Sequence, residues 1–197
     1  MPTTLNEALI TRNAIIVDMA LGFTAMMRVF EPSSKARVSV LVADALAEIS
    51  KSESRERFEA VHAAFCQAFV RQVKASGRSS KNGAKVPKAP ASYGQAAKIL
   101  DICSKVWFYY CALPSPAIAD RVLPWLHVAI DGPTLRHLKR TCKTHVVTAS
   151  SIAGIDKPQY LELQALAKRH RAQSCEAEVA AVQYDDIQWW LLNKGRA

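Results

Sequence analysis

The chain lacks the local signatures that announce most catalytic and cofactor-binding sites. It has no P-loop, no dinucleotide-type glycine fingerprint, no G-x-S-x-G elbow and no H-E-x-x-H helix. Their absence argues against the commonest ways of cradling a nucleotide phosphate, activating a serine or holding a catalytic zinc. No C-x-x-C pair occurs either. Cys142, His145 and the nearby His137 have some metal-like spacing, but structural zinc normally takes four ligands with paired cysteines. Neither a metal nor any other cofactor is expected. The five cysteines are an odd number, and Cys66, Cys103 and Cys111 sit in apolar contexts. Reduced thiols in a cytoplasmic protein fit this better than a disulfide framework. No apolar run reaches the ~20 residues of a membrane span, so no membrane is expected as a partner. Repeats of solenoid length are missing too. So are acidic residues between Glu59 and Asp101, a stretch that carries seven cations.

What is present is a basic, apolar-rich chain. Half of its 197 residues are hydrophobic and 22% are charged, as in folded globular proteins. The 26 Lys and Arg against 17 Asp and Glu leave a net charge of +9, which suggests polyanionic partners. Helical periodicity dominates and predicts an all-α fold of six to seven helices around a central apolar one at about 93–111. The reading is a single helical domain over 1–197. A basic Gly/Pro/Ser-rich loop at 77–91 separates an N-terminal three-helix part (4–76) from a C-terminal helical part (92–197).

Capping patterns set the helix starts. Thr4 with Glu7 and Ser92 with Gln95 each fit a capping box. The first helix is expected from about Leu5 to Phe30, with Ala8, Ile15, Met19, Phe23, Met26 and Phe30 on its apolar face. Ser33 or Ser34 should cap a second helix to about Ser50. Ser52-Glu53 should open a third, to about Ala75, with His62 near its apolar face as a core residue held by a local hydrogen bond. In the central helix Lys98, Asp101 and Lys105 break the apolar run, and Asp101 and Lys105 have the i,i+4 spacing of an ion pair. Ala117 to Leu123 reads as a short helix. Within the stretch from Thr144 to Ile155, His145-Val-Val-Thr is a short strand or an extended connector. Asp156 should cap a helix ending in the cations Lys168 to Arg171, and a last helix spans Glu176 to Asn193. There Trp189-Trp190 reads as a clamp docking that helix, with a stacking platform for a nucleobase as the alternative.

Two cationic groups are candidate nucleic-acid contacts. Arg78, Lys81, Lys85 and Lys88 lie in the 77–91 loop, which is either a solvated linker or a phosphate-contacting arm. Arg136, Lys139, Arg140 and Lys143 recur at i, i+3, i+4, i+7 on the helix expected over 134–143. Just before that helix stands Asp131-Gly132-Pro133. Asp is a preferred N-cap and Pro is tolerated in a first turn, so an N-cap is the plainer reading of Asp131.

A second reading comes from resemblance. A-D-R-V-L (119–123), an apolar run, then A-I-D-x-x-x-L-R-x-L-x-R (129–140) resembles the core of the helix-hairpin-helix DNA glycosylases. In that family a hairpin leads through an apolar segment to a catalytic aspartate at a helix start. The resemblance implies Asp131 in that role, with Leu113-Pro114 opening the hairpin, over about a quarter of the chain. Departures are visible: Ser115-Pro116-Ala117 stands where the hairpin glycines belong, no lysine occupies the bifunctional members' position, and the spacing to the aspartate is shorter.

Two functions follow. One is a nucleic-acid-binding protein, DNA or RNA, of base-excision type acting through Asp131. The other is a non-enzymatic helical adaptor or regulator that binds another macromolecule, such as a protein, through its basic and apolar faces. Polar residues converging in a pocket would favour the first.

Overall fold

A computed structural model describes residues 4–76, 89–142 and 146–193. The described residues are helical almost throughout, as the periodicity predicts. In chain order they form α1 (Leu5–Phe23), α2 (Lys35–Ser50), α3 (Arg55–Gln72), α4 (Tyr93–Ser104), α5 (Pro116–Val122), α6 (Gly132–Cys142), α7 (Lys157–Ser174) and α8 (Ala181–Asn193). Two two-residue strands, β1 (Lys74–Ala75) and β2 (Ala89–Pro90), pair antiparallel at the two ends of the 77–88 segment. No helix among the described residues is long and apolar enough to cross a membrane.

Both capping boxes form. Thr4 N–H donates to Glu7 Oε2 at 2.7 Å, and Ser92 N–H donates to Gln95 Oε1 at 2.8 Å, each with its reciprocal bond. Ser54, not Ser52, caps α3 by accepting from the Arg57 N–H. Ser34 precedes α2 but makes no side-chain cap bond there.

α1 departs most from expectation. It stops at Phe23, because Thr24 Oγ1 donates to the Leu21 carbonyl and accepts from the Met26 N–H, and Ala25 turns left-handed at φ 52°. A left-handed non-glycine residue costs roughly 1–2 kcal/mol. Met26 and Phe30 are buried beyond this break, so they do not extend the α1 face. The buried side is Val17, Ala20 and Leu21, whereas Ile15, Met19 and Phe23 are more than half exposed.

α4 is buried on nearly every side and packs against α1, α2, α3 and α7. Its expected continuation to Cys111 exists, but as a wider π-helical stretch over Lys105–Tyr110, ended by Ala112 at φ 50°. Such bulges re-aim side chains within a helix. The start of α4 is pinned against the 152–155 turn. Gly94 N–H donates to the Ile155 carbonyl at 3.0 Å, and a Cβ at Gly94 would stand 2.6 Å from Ile155 Cβ and 2.7 Å from the Ile152 oxygen.

Ala normally favours a helix over Gly by ~1 kcal/mol. At Gly94 overpacking should outweigh that gain, and Gly94→Ala is expected to destabilise by ~1–3 kcal/mol in urea unfolding. Gly22→Ala, where nothing lies within 4 Å of the new Cβ, should stabilise instead. Equal effects at both positions would refute the packing account.

Candidate active site

α4 and the π-helical stretch, the end of α1, the segment leading into α6 and the middle of α8 line a cleft of about 480 Å³. Asp131 lies on its wall. One carboxylate oxygen caps α6 by accepting from the Thr134 N–H at 2.8 Å, and among the described residues no hydrogen bond reaches the other. Asp131 is thus both a cap and a cleft residue. Lys98, Lys105, Asp185 and Asp186 share the cleft with it, and Phe23, Tyr110 and Trp189 line it as exposed aromatics.

The two lysines differ. Lys105 Nζ donates to Asp185 and, at 2.9 Å, to Asp186, whose carboxylate also accepts from the Tyr110 hydroxyl at 2.7 Å. Asp101 therefore does not pair with Lys105, because the wider turn at 105 sends the lysine toward α8 while Asp101 faces the core. Burial works against the Lys105 ammonium, but Asp185 and Asp186 hold its pKa above the ordinary value. For Asp185 burial wins over the same lysine, and its pKa stands at about 6. Lys98 has no ion pair among the described residues. Burial lowers its pKa, the nearby Asp131 works the other way, and Arg28 adds to the lowering.

The cationic candidates are scattered. Arg136 and Arg140 are exposed on α6, but Lys139 is tied to the Ala149 carbonyl at 2.8 Å. Lys143, Arg78, Lys81, Lys85 and Lys88 lie outside the described residues. The strand pair at the ends of that loop joins the chain just after the cleft wall. Glu31 N–H donates to the Lys74 carbonyl and Ser76 N–H to the Val29 carbonyl. The α7 cations are occupied locally, with Arg169 on Glu162 and Arg171 on the Val179 carbonyl. Trp189 and Trp190 do not clamp α8, which is buried instead through Val182, Tyr184, Asp185 and Gln188.

A second polar centre lies inside the core. His62 Nε2 is 2.9 Å from Asp101 Oδ1, a partner 39 positions away that adds to the local contact expected of it. The Tyr160 hydroxyl stands 2.9 Å from Asp101 Oδ2, 2.8 Å from His127 Nδ1 and 3.3 Å from His62 Nε2. Outside this ring of donors, His127 Nε2 meets Glu59 at 3.1 Å and His62 Nδ1 meets the Cys66 sulfur at 3.8 Å. Burial alone lowers the His62 pKa, but Cys66 and Asp101 outweigh it and push it up to about 10. Burial raises Tyr160 well above an ordinary phenol, and the Asp101 charge adds to the shift. His62, Asp101 and His127 hold ligand atoms within 4.8 Å of one another.

Sequence reasoning singled out Asp131, with Lys98 and Tyr110 as possible companions, but did not join them to Lys105, Asp185, Asp186 and Trp189. The interruption of the apolar run by Lys98 and Lys105, and the Asp185-Asp186-Trp189 turn, were the available signals. The His62 centre has no local signal, since its members come from α3, α4, the 126–130 segment and α7. No protein-family model, curated protein or solved structure matches the chain.

Proposed function

We propose that the protein binds nucleic acid and excises a base in the Asp131 cleft. The observation that carries this reading is that Asp131 has a carboxylate oxygen left over from its capping bond, in a cleft walled by exposed aromatic rings. A volume of about 480 Å³ lies in the ~300–1,000 Å³ range of ligand pockets. Chemistry on a base requires it to leave the stack, and Trp189 or Tyr110 offers a π-face to receive it. As the bond from sugar to base breaks, the sugar gains positive charge. Three aspartates against two lysines make the cleft a better host for that cation than for an anion. Lys98, lacking an ion pair, supplies positive charge to a phosphate at the mouth, and Arg28, Arg136 and Arg140 are exposed cations for the rest of the strand.

The test is Asp131→Asn. Asn is itself a good N-cap, so the melting temperature should stay near the parent's, within ~1 kcal/mol of stability. Base release from a panel of damaged or modified DNA should be lost, because Asn keeps the shape and removes the charge. Full activity in the variant would refute the role of Asp131, and an inactive parent would refute the excision chemistry. In the same series, changing Arg78, Lys81, Lys85 and Lys88 together to Ala should flatten the salt dependence of DNA binding. Each lost phosphate contact removes ~0.9 from the slope of log K against log salt on duplex DNA. An unchanged slope would make that loop a solvated linker.

A second reading, a non-enzymatic adaptor, is favoured by a different feature. A mainly apolar groove of about 740 Å³ runs between α1, α2 and α5, with Ile10 and Val40 exposed beside it. DNA binding equal in parent and Asp131→Asn, with no base release from either, would replace the enzyme with this reading.

A further inference from the structure

We infer that His62, Asp101, His127 and Tyr160 form an internal binding site for a divalent transition-metal ion of the zinc type. This stands apart from the cleft and does not depend on the excision reading.

Four donor atoms from four separate elements converge on one point of the core. The Tyr160 oxygen is 2.8 Å from His127 Nδ1 and 3.3 Å from His62 Nε2, Asp101 Oδ1 is 2.9 Å from His62 Nε2 and 3.8 Å from His127 Nδ1, and the second Asp101 oxygen is 2.9 Å from Tyr160. A tetrahedral ion with bonds of ~2.0–2.1 Å to nitrogen and oxygen places its ligands about 3.3 Å apart, in the middle of that range. Small outward shifts at the short contacts would seat the ion.

The outer contacts agree with this assignment. A histidine that binds a metal through one nitrogen is ordinarily held through the other by a carboxylate, a carbonyl or another polar group. His127 presents Nδ1 to the centre and has Nε2 on Glu59, while His62 presents Nε2 and has Nδ1 toward Cys66. Both rings are thus fixed from behind and aimed inward.

Hydrogen counting points the same way. The Tyr160 hydroxyl has one hydrogen, yet His127 Nδ1 and Asp101 Oδ2 both lie within 2.9 Å of its oxygen. That hydrogen serves only one of the two contacts, so the other needs a hydrogen from His127 or Asp101, or an ion in its place. A divalent ion takes the place of these hydrogens: any on His62 Nε2 and His127 Nδ1 leave to solvent, and the Tyr160 hydroxyl gives up its own to solvent to bind as phenolate. Two imidazoles with a carboxylate and a phenolic oxygen suit zinc. Calcium and magnesium prefer all-oxygen sites, and copper(I) prefers sulfur.

The test uses the full chain. Protein stripped with chelator and titrated with Zn²⁺ should take up one ion per chain, and its melting temperature should rise by several degrees. Co²⁺ in place of Zn²⁺ should give the visible absorption of a four-coordinate site. Glu59→Gln changes the outer contact and a surface pairing with Arg55 but no core side chain, so its helical circular dichroism should match the parent's. Its zinc affinity should fall by 10–100-fold. Asp101→Asn should abolish uptake; if that variant fails to fold, the parent titration and Glu59→Gln still decide. A melting temperature unmoved by Zn²⁺, a colourless Co²⁺ sample, or undiminished zinc affinity in Glu59→Gln would overturn the site.

Discussion

Lys105→Met is expected to destabilise the protein by about 3–5 kcal/mol at pH 8 and by much less at pH 5. Lys105 and Asp185 are nearly buried, with 12% and 7% of their side chains exposed. Removing the lysine strips Asp185 of its counterion in a poorly solvated place, and Asp186, one-third exposed, contributes like charge beside it. The sign with pH follows from Asp185. Its folded pKa of about 6 lies above the ordinary ~3.9 of an aspartate, so the folded state holds the extra proton between those values. Stability from this group therefore falls as pH rises from ~4 to ~6. Losing Lys105 raises that pKa further and widens the window, so the variant can protonate Asp185 at pH 5 and cannot cheaply do so at pH 8. Lys105 behaves in the opposite sense. Its raised pKa contributes stability that persists below the ordinary ~10.4 and is lost only as the folded amine titrates. Urea unfolding of both proteins at pH 5 and pH 8 checks the claim. A gap equal at both values would mean that Asp185 does not carry the effect.

Asp101→Ala is expected to cost a similar amount, about 3–5 kcal/mol at pH 7. Asp101 is 3% exposed and accepts from two groups on different helices, His62 on α3 and Tyr160 on α7. Alanine leaves a raised-pKa imidazole without its partner charge and a buried hydroxyl with one acceptor fewer. Tyr160→Phe is the milder neighbour, because it removes a hydroxyl and no charge, and should cost ~1–3 kcal/mol. The order of the two variants is the informative readout in denaturant unfolding. A loss below ~1 kcal/mol in Asp101→Ala would mean that the centre relaxes around solvent and does not tie α3, α4 and α7 together.

The helical class and the helix starts were legible because their causes are local. A capping box needs only residues i and i+3, and both predicted boxes form with their reciprocal bonds. Asp131 and Asp156 cap α6 and α7 for the same reason. The end of α1 was not legible, since apolar residues continue in step past Phe23. The break depends on Thr24, whose side chain satisfies the helix end from within the core. The buried face of α1 was misread with it. Val17, Ala20 and Leu21 make as good a helical stripe as Ile15, Met19 and Phe23, and only the position of α4 selects between them.

The candidate sites divide along the same line. Asp131 could be named from the chain because a cap has a local pattern, and the same pattern could not tell whether a cleft lay beside it. Lys105 and Asp185 are 80 positions apart, His62 and Asp101 39, and Tyr160 and His62 98. At those separations no periodicity links the residues. Read singly, a polar residue in an apolar run can be a partnered core group, a ligand or an ion pair. The sequence alone determined the helical class, most helix starts, the basic character and the Asp131 cap, because each follows from residue type and neighbours within a turn. The tertiary structure alone decided which face of α1 is buried, which carboxylate meets which cation, and that two histidines, an aspartate and a tyrosine share one point. Those outcomes depend on how α4 packs among helices distant in the chain, where burial changes the charge and the partners each side chain can keep.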